Sequence, residues 1–231
     1  MVKAIPTTDR SPTTDPGPTI DRGPTTDRGP TTERGPTTER GRQSRERIVA
    51  SAADLFARGG VNGTSVDDVL AAAGASKSQL YHYFANKQAL VVAVIERHGE
   101  VVMAANAAFL DGARSIDDMA RWFDFLVAYQ DGHGFHGGCP VGSLAAELAG
   151  ADDAARSATD ACFRSWRLRI AAAYHRLQDA GALQPDADTD ALAGSTLAAV
   201  EGGLLLCKAQ RSTVALRAVL DTTLAQLRSL A

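Results

Sequence analysis

Between Gly63 and Leu90 the chain starts a helix, stops it and restarts another within a short span, a pattern few folds accommodate. Thr64 and Ser65 can open a first short helix, with Val66, Val69, Leu70 and Ala73 spaced for packing. Gly74 ends it, because glycine alone enters the left-handed region at no steric cost. Ser76-Lys77-Ser78-Gln79 then has the capping-box form, a serine followed three residues on by glutamine. Two short helices joined by a glycine turn form a helix-turn-helix. Upstream, Ser44 is expected to cap a longer helix whose apolar positions Ile48, Ala52, Leu55 and Phe56 share one face, ending at Gly59-Gly60.

The second short helix, about residues 77–84, divides cleanly at 100° per residue. Leu80 and Phe84 fall together and face inward, whereas Ser78, Tyr81 and His82 point the other way. With Lys77 at its start, this hydroxyl, phenol and imidazole face suits base edges and phosphates in a major groove. A polar surface helix with incidental aromatics is the alternative reading of the same pattern.

The run Gly63-Thr64-Ser65-Val66 through Gly74-Ala75-Ser76-Lys77-Ser78-Gln79-Leu80-Tyr81-His82-Tyr83-Phe84-Ala85-Asn86-Lys87-Gln88-Ala89-Leu90 closely resembles the DNA-binding domain of TetR-family regulators. The resemblance implies an all-α fold: three N-terminal helices for DNA, then a helical domain for dimerisation and effector binding. It also implies groove-facing roles for Lys77, Ser78, Tyr81 and His82. Thr64, Ser65, Gln79, Tyr83 and Lys87 stand at positions that meet DNA, mostly its phosphates. For Tyr81 the alternative is a buttress for the helix, and for Lys87 a solvated charge. Arg42 and Arg45 either touch the DNA backbone or simply solubilise the first helix.

A formal charge of −3 looks unsuited to a nucleic-acid binder, so its distribution matters. Residues 42–90 carry six basic and four acidic side chains, a net of +2, while residues 91–231 are acidic. Residues 1–41 are balanced and repeat a six-residue unit, Gly-Pro-Thr-Thr-Asp/Glu-Arg, that offers nothing large to bury. This tail is expected to be disordered, either a solvated extension or an arm lending weak phosphate contacts. The N-terminus lacks an apolar signal core and no stretch is expected to span a bilayer, so a cytoplasmic protein without a membrane partner is expected.

After residue 90 the helical pattern continues. Helix four runs on through Val91, Val94 and Ile95 and is the natural lever between a head at 42–90 and a body at 91–231. Further helices are expected near 116–130, 143–149, 153–180, 187–209 and 213–229, about nine in all. Gly138-Cys139-Pro140-Val141-Gly142-Ser143-Leu144-Ala145-Ala146-Glu147-Leu148 resembles the LmrA/YxaF-type branch of the family. An effector pocket is expected among helices five to eight. Its candidate lining is Trp122, Phe123, Leu126, Tyr129, Phe163, Trp166, Ile170 and Tyr174, aromatic and aliphatic side chains in an alanine-rich region, with ordinary core packing as the competing explanation.

The last two helices carry Gly194, Leu197, Val200, Glu201, Leu204 and Leu205, then Val219, Leu220, Leu224 and Leu227. These read as a homodimer interface, with Gly194 and Gly202 allowing close approach. His133, His136 and Cys139 are metal-ligand types in a glycine-rich loop, yet no second ligand cluster accompanies them. Neither a metal nor a cofactor is expected. Cys139, Cys162 and Cys207 are too widely spaced for a disulfide framework. No nucleophile with a partnered histidine and no phosphate-cradling loop is present, so an enzyme is not expected. The leading expectation is a repressor that leaves operator DNA when a small hydrophobic molecule binds. The alternatives are a redox- or metal-responsive regulator using the Cys139 loop, or an activator.

Overall fold

A computed structural model describes residues 38–134 and 138–231, all within the compact unit Gly35–Ala231. The repeat tail up to residue 37 and His136 lie outside the described residues. Among those described there are nine α-helices and no strand.

Helix α1 (Glu39–Gly59) begins earlier than Ser44 predicts. Thr38 is its cap, the Gly41 N–H donating to Thr38 Oγ1 at 3.1 Å. Ser44 instead lies on the buried stripe with Ile48, Val49, Ala52, Ala53 and Phe56, and its hydroxyl has no partner among the described residues. The acceptor found at Thr38 and the polar run after it let the helix extend past the expected start.

Helices α2 (Val66–Ala73) and α3 (Lys77–Tyr83) each open with a reciprocal capping box, Ser65 with Asp68 and Ser76 with Gln79. Between them Gly74 sits at φ 58°, ψ 39°, so a side chain there would be strained even though open space surrounds it. Helix α4 (Lys87–Leu110) is capped by Asn86, and α5 (Ile116–Gly132) by a Ser115–Asp118 box. Then follow α6 (Pro140–Leu148), α7 (Asp153–Asp179), α8 (Thr189–Gln210) and α9 (Val214–Ser229). Pro140 occupies the first turn of α6, where its missing N–H costs nothing.

The buried apolar side chains form two clusters. One joins Ile48, Phe56, Val69, Leu80, Phe84 and Leu90 to Leu144 and Leu148 of α6. The other joins Leu110, Trp122, Ile170, Tyr174, Val200, Leu220 and their neighbours. Helix α4 spans both: its first half, through Ile95, belongs to the first cluster, and Leu110 at its end to the second. Helix α7 packs on α4, α6 and α8, while α9 packs on α8 and α5.

Four candidate pocket residues prove to be core. Trp122, Phe123, Ile170 and Tyr174 are each no more than 2% exposed and fill the second cluster. Their polar atoms are satisfied inside it: the Trp122 indole donates to Asn106 Oδ1 at 2.5 Å, and the Tyr174 hydroxyl lies 2.7 Å from Thr196 Oγ1. Removing a buried aromatic of this size costs about 3–5 kcal/mol.

Burial divides the residues expected at the interface, and four of them are corrected to core. Val200, Leu204, Leu220 and Leu227 are buried within the protomer, and Leu197, Val219 and Leu224 are half-buried against the same core. Glu201 likewise has a carboxylate oxygen buried without a hydrogen-bond partner among the described residues. Periodicity marked these positions for burial; α7 and α5 of the same chain supply the cover. A Cβ on Gly203 would lie 2.6 Å from Leu216 Cδ1, so Gly203 sets the α8–α9 approach, whereas Gly194 and Gly202 face open space. Leu205 remains outside, 64% exposed, with Leu206 and Val214.

The expectation that no stretch is of membrane-spanning length is also revised. Helix α8 is long and apolar enough by composition, with mean hydropathy 1.3 over its best window. Its packing against α7 and α9 accounts for that apolarity as a core helix.

Candidate nucleic-acid interface and effector cavity

Helix α3 is held from beneath by its apolar pair. Leu80 is fully buried and Phe84 is 2% exposed, so the opposite face is turned outward. There Lys77, Ser78 and His82 are exposed, and Tyr81 is 50% exposed. An apolar ring so presented, with its hydroxyl free, offers both a stacking surface and a donor. Three contacts fix the pose of this head. Arg47 Nε donates to the Ala73 carbonyl at 3.1 Å, tying the end of α2 to α1. The Arg45 guanidinium lies 5.2 Å above the Phe84 ring, and Arg97 pairs with Glu46. Arg42 pairs with Glu39 at the surface, and Lys77 reaches Asp67 at 3.4 Å; exposed pairs of this kind hold little energy and yield readily to phosphate.

Several residues expected to touch phosphates have structural duties. Thr64 is buried and its hydroxyl donates to the Gly60 carbonyl at 2.8 Å, bracing the α1–α2 turn. That burial contradicts a surface role in this conformation. Lys87 is half-buried and donates to the Val61 carbonyl at 2.6 Å. Ser65 and Gln79 are exposed, yet Ser65 Oγ and Gln79 Oε1 serve their capping boxes. Tyr83 is half-buried, its ring edge-on to His82 and Phe84.

A cavity of about 640 Å³ lies where α1, α4, α5, α6, α7 and α8 meet. Of the predicted lining residues, Leu126, Tyr129 and Trp166 border it. Phe163 does not; with Gly99, Cys162 and Trp166 it lines a separate void of about 10 Å³. The walls that sequence reasoning missed include Phe56 and Arg58 at the end of α1, His98, Val102 and Asn106 on α4, and Phe125 and Gln130 on α5. Glu147 of α6 and Lys208 of α8 complete them. Asn106 and Gln130 carried a usable signal, each a polar residue on the inward face of its helix. Arg58, Glu147 and Lys208 carried none, since their approach depends on folding across 150 residues of chain.

Glu147 connects this cavity to the head. Its carboxylate accepts from the Val61 and Asn62 N–H groups, at 3.1 and 3.0 Å, in the α1–α2 turn. Lys87 holds the carbonyl of the same Val61. The turn leading into α2 is therefore gripped from both sides, by α6 and by the first residue of α4.

Cys139 caps α6, its Sγ accepting from the Gly142 N–H at 3.3 Å. Burial and the neighbouring Glu201 push its thiol well above the ordinary range, the opposite of what a reactive thiolate needs. Burial raises Glu201 to about 7, opposed by the Cys139 thiol beside it. His98 is lowered, mainly by burial and then by Arg97, both of which disfavour its charged form. The His133 ring stacks on Tyr129 at 4.0 Å between centroids.

Comparisons with known proteins agree with this layout. Residues 48–94 match the family described as bacterial regulatory proteins, tetR family. Residues 115–222 match the C-terminal domain described as transcriptional regulator LmrA/YxaF-like. The transcriptional regulator AcuR of Cereibacter sphaeroides is 32% identical over 71% of this chain and 76% of its own. The transcriptional repressor DhaR of a Mycobacterium species is 24% identical over 78% of this chain and 93% of its own. A TetR transcriptional regulator of known structure from Chloroflexus aurantiacus superimposes with a TM-score of 0.71 at 26% identity, covering 82% of this chain and 96% of that one. With an outward-facing recognition helix mounted on a helical body, this chain belongs to the TetR family of transcriptional regulators, with a C-terminal domain of the LmrA/YxaF type.

Proposed function

We propose that the protein is a homodimeric repressor that binds operator DNA through α3 and leaves it when a small, mainly apolar molecule fills the 640 Å³ cavity. In this reading residues 42–90 read DNA and residues 91–231 bind the effector and pair the subunits. The observation that carries it is Glu147, which borders the cavity and grips the turn that leads into the reading head. A ligand that displaces α6 relative to α1 shifts that grip, and the population moves from a DNA-competent to a released arrangement. A relative named as a repressor supports the direction of control. The exposed Leu205, Leu206 and Val214 support pairing through α8 and α9, since water is an unfavourable neighbour for such side chains. A twofold pair would set two copies of α3 about 34–36 Å apart, one turn of DNA.

The test is fluorescence anisotropy on DNA from upstream of the protein's own gene, at several salt concentrations and with a panel of apolar ligands. Tight binding that weakens steeply with salt and is lost with a ligand is expected. Binding that no ligand alters would refute the effector half of the reading, and absence of specific binding would refute the whole.

A further inference from the structure

We propose that the effector is an organic acid: an apolar, ring- or chain-bearing molecule whose carboxylate is held at the cavity rim by Lys208 and Arg58. This rests on the reading of the cavity as an effector site and names the chemical class that site accepts.

The cavity is divided by polarity. Phe125, Leu126, Val102, Trp166 and Leu144 supply an apolar lining of mostly buried or half-buried side chains. Both cations that border it, Arg58 and Lys208, are exposed, and so stand where the cavity meets solvent. Among the described residues Arg58 forms no ion pair, and Lys208 has only the neutral Ser143 hydroxyl, at 3.2 Å. The one carboxylate of the lining, Glu147, is already committed by both oxygens to the Val61 and Asn62 N–H groups. Burial, and then the neighbouring Arg97, lowers the pKa of His98 on α4 and so disfavours a third positive charge there.

A ligand therefore meets two positive charges without a carboxylate partner and one carboxylate whose oxygens already serve backbone N–H groups, a net positive lining. A cationic ligand would be repelled by this lining and would find no free counter-ion, whereas an acid gains a charge-assisted bond in partly dehydrated surroundings. Trp166 adds a neutral polar contact deeper in. It is 4% exposed, lines the cavity, and its indole Nε1 is buried with no hydrogen-bond partner among the described residues. A buried N–H donor left so is costly unless an acceptor on a ligand or water satisfies it. An acid held there also brings a negative charge into the cavity that Glu147 borders, which opposes the grip on the reading head.

Matched probes test the class: phenylbutyrate, phenylbutanol and phenylbutylamine share one apolar body and differ in the headgroup. Titration calorimetry on the full chain should show phenylbutyrate binding about tenfold or more tightly than the other two. In K208M or R58Q, or in both, the ratio of acid to alcohol affinity should fall to near one. Because the ratio is read within a single variant, any loss of folded protein cancels. Tighter binding of the amine or the alcohol overturns the proposal, as does an unchanged ratio in the double variant. Failure of all three probes to bind overturns it as well. Anisotropy on the upstream DNA, run on the same samples, separates this from failure of the regulator reading: specific DNA binding with the acid rejected condemns the ligand class alone.

Discussion

The reading helix and the cavity are built in opposite ways. On α3 the whole outward face comes from seven consecutive residues, Lys77–Tyr83, and inward Leu80 is followed directly by outward Tyr81 and His82. The cavity draws on six helices, from Phe56 to Lys208 in the chain. A surface made by one helix is governed by periodicity, which is local; a cavity is governed by which helices meet. The first tolerates change on its outer face, and the second responds to changes anywhere in its supports.

The sharpest way to break that comparison is to change adjacent positions on α3. Leu80→Ala should cost about 3 kcal/mol of stability by leaving a hole under the helix, read in urea unfolding. Tyr81→Ala should change stability by less than about 0.5 kcal/mol yet weaken operator binding about tenfold to a hundredfold, read by anisotropy. Equal effects of the two on stability would mean that Tyr81 buttresses the head rather than facing DNA.

Glu201 probes the body by pH. Its folded value, about 7, lies above its ordinary 4.5, so between these the native state holds more protons than the unfolded one. Stability should therefore fall as pH rises through this window, the full penalty standing above about pH 7, on the order of 3 kcal/mol. Glu201→Gln should remove the slope and raise the melting temperature at about pH 8 with little change at about pH 5. A slope that survives the substitution assigns the pH dependence to another group.

Smaller effects should distinguish coupling from reading. Glu147→Ala leaves the Val61 and Asn62 N–H groups without their acceptor and should cost about 1–2 kcal/mol. It should also reduce the effect of a bound ligand on DNA affinity, whereas an unreduced ligand effect would remove Glu147 from the transmission route. Ser76→Ala removes the cap of α3, worth about 1 kcal/mol, and should lower DNA affinity through fraying of the helix with no change in ligand affinity.

Most of the helices were legible because each begins with a side chain able to accept the first free N–H groups. Ser65, Ser76, Asn86, Ser115, Asp152 and Asp188 all do so. The start of α1 was missed because Thr38 and Ser44 are both able to cap, and only the packing of Ser44 against α1's buried stripe decides between them. Thr64 was misjudged for a related reason: a hydroxyl at a helix entrance can serve phosphate or its own turn, and here it reaches Gly60.

By itself the sequence determined the helical periods, the caps, the glycine turn at Gly74 and the split between the two faces of α3. All of these follow from backbone geometry and side chains within a few residues of one another. The tertiary structure decided that Trp122, Phe123, Ile170 and Tyr174 fill a core while Phe56, Gln130 and Lys208 border a cavity, and that Val200 and Leu220 are covered by their own chain. Apolar spacing states that a side chain will leave water, but the partner that covers it is chosen by how distant helices pack.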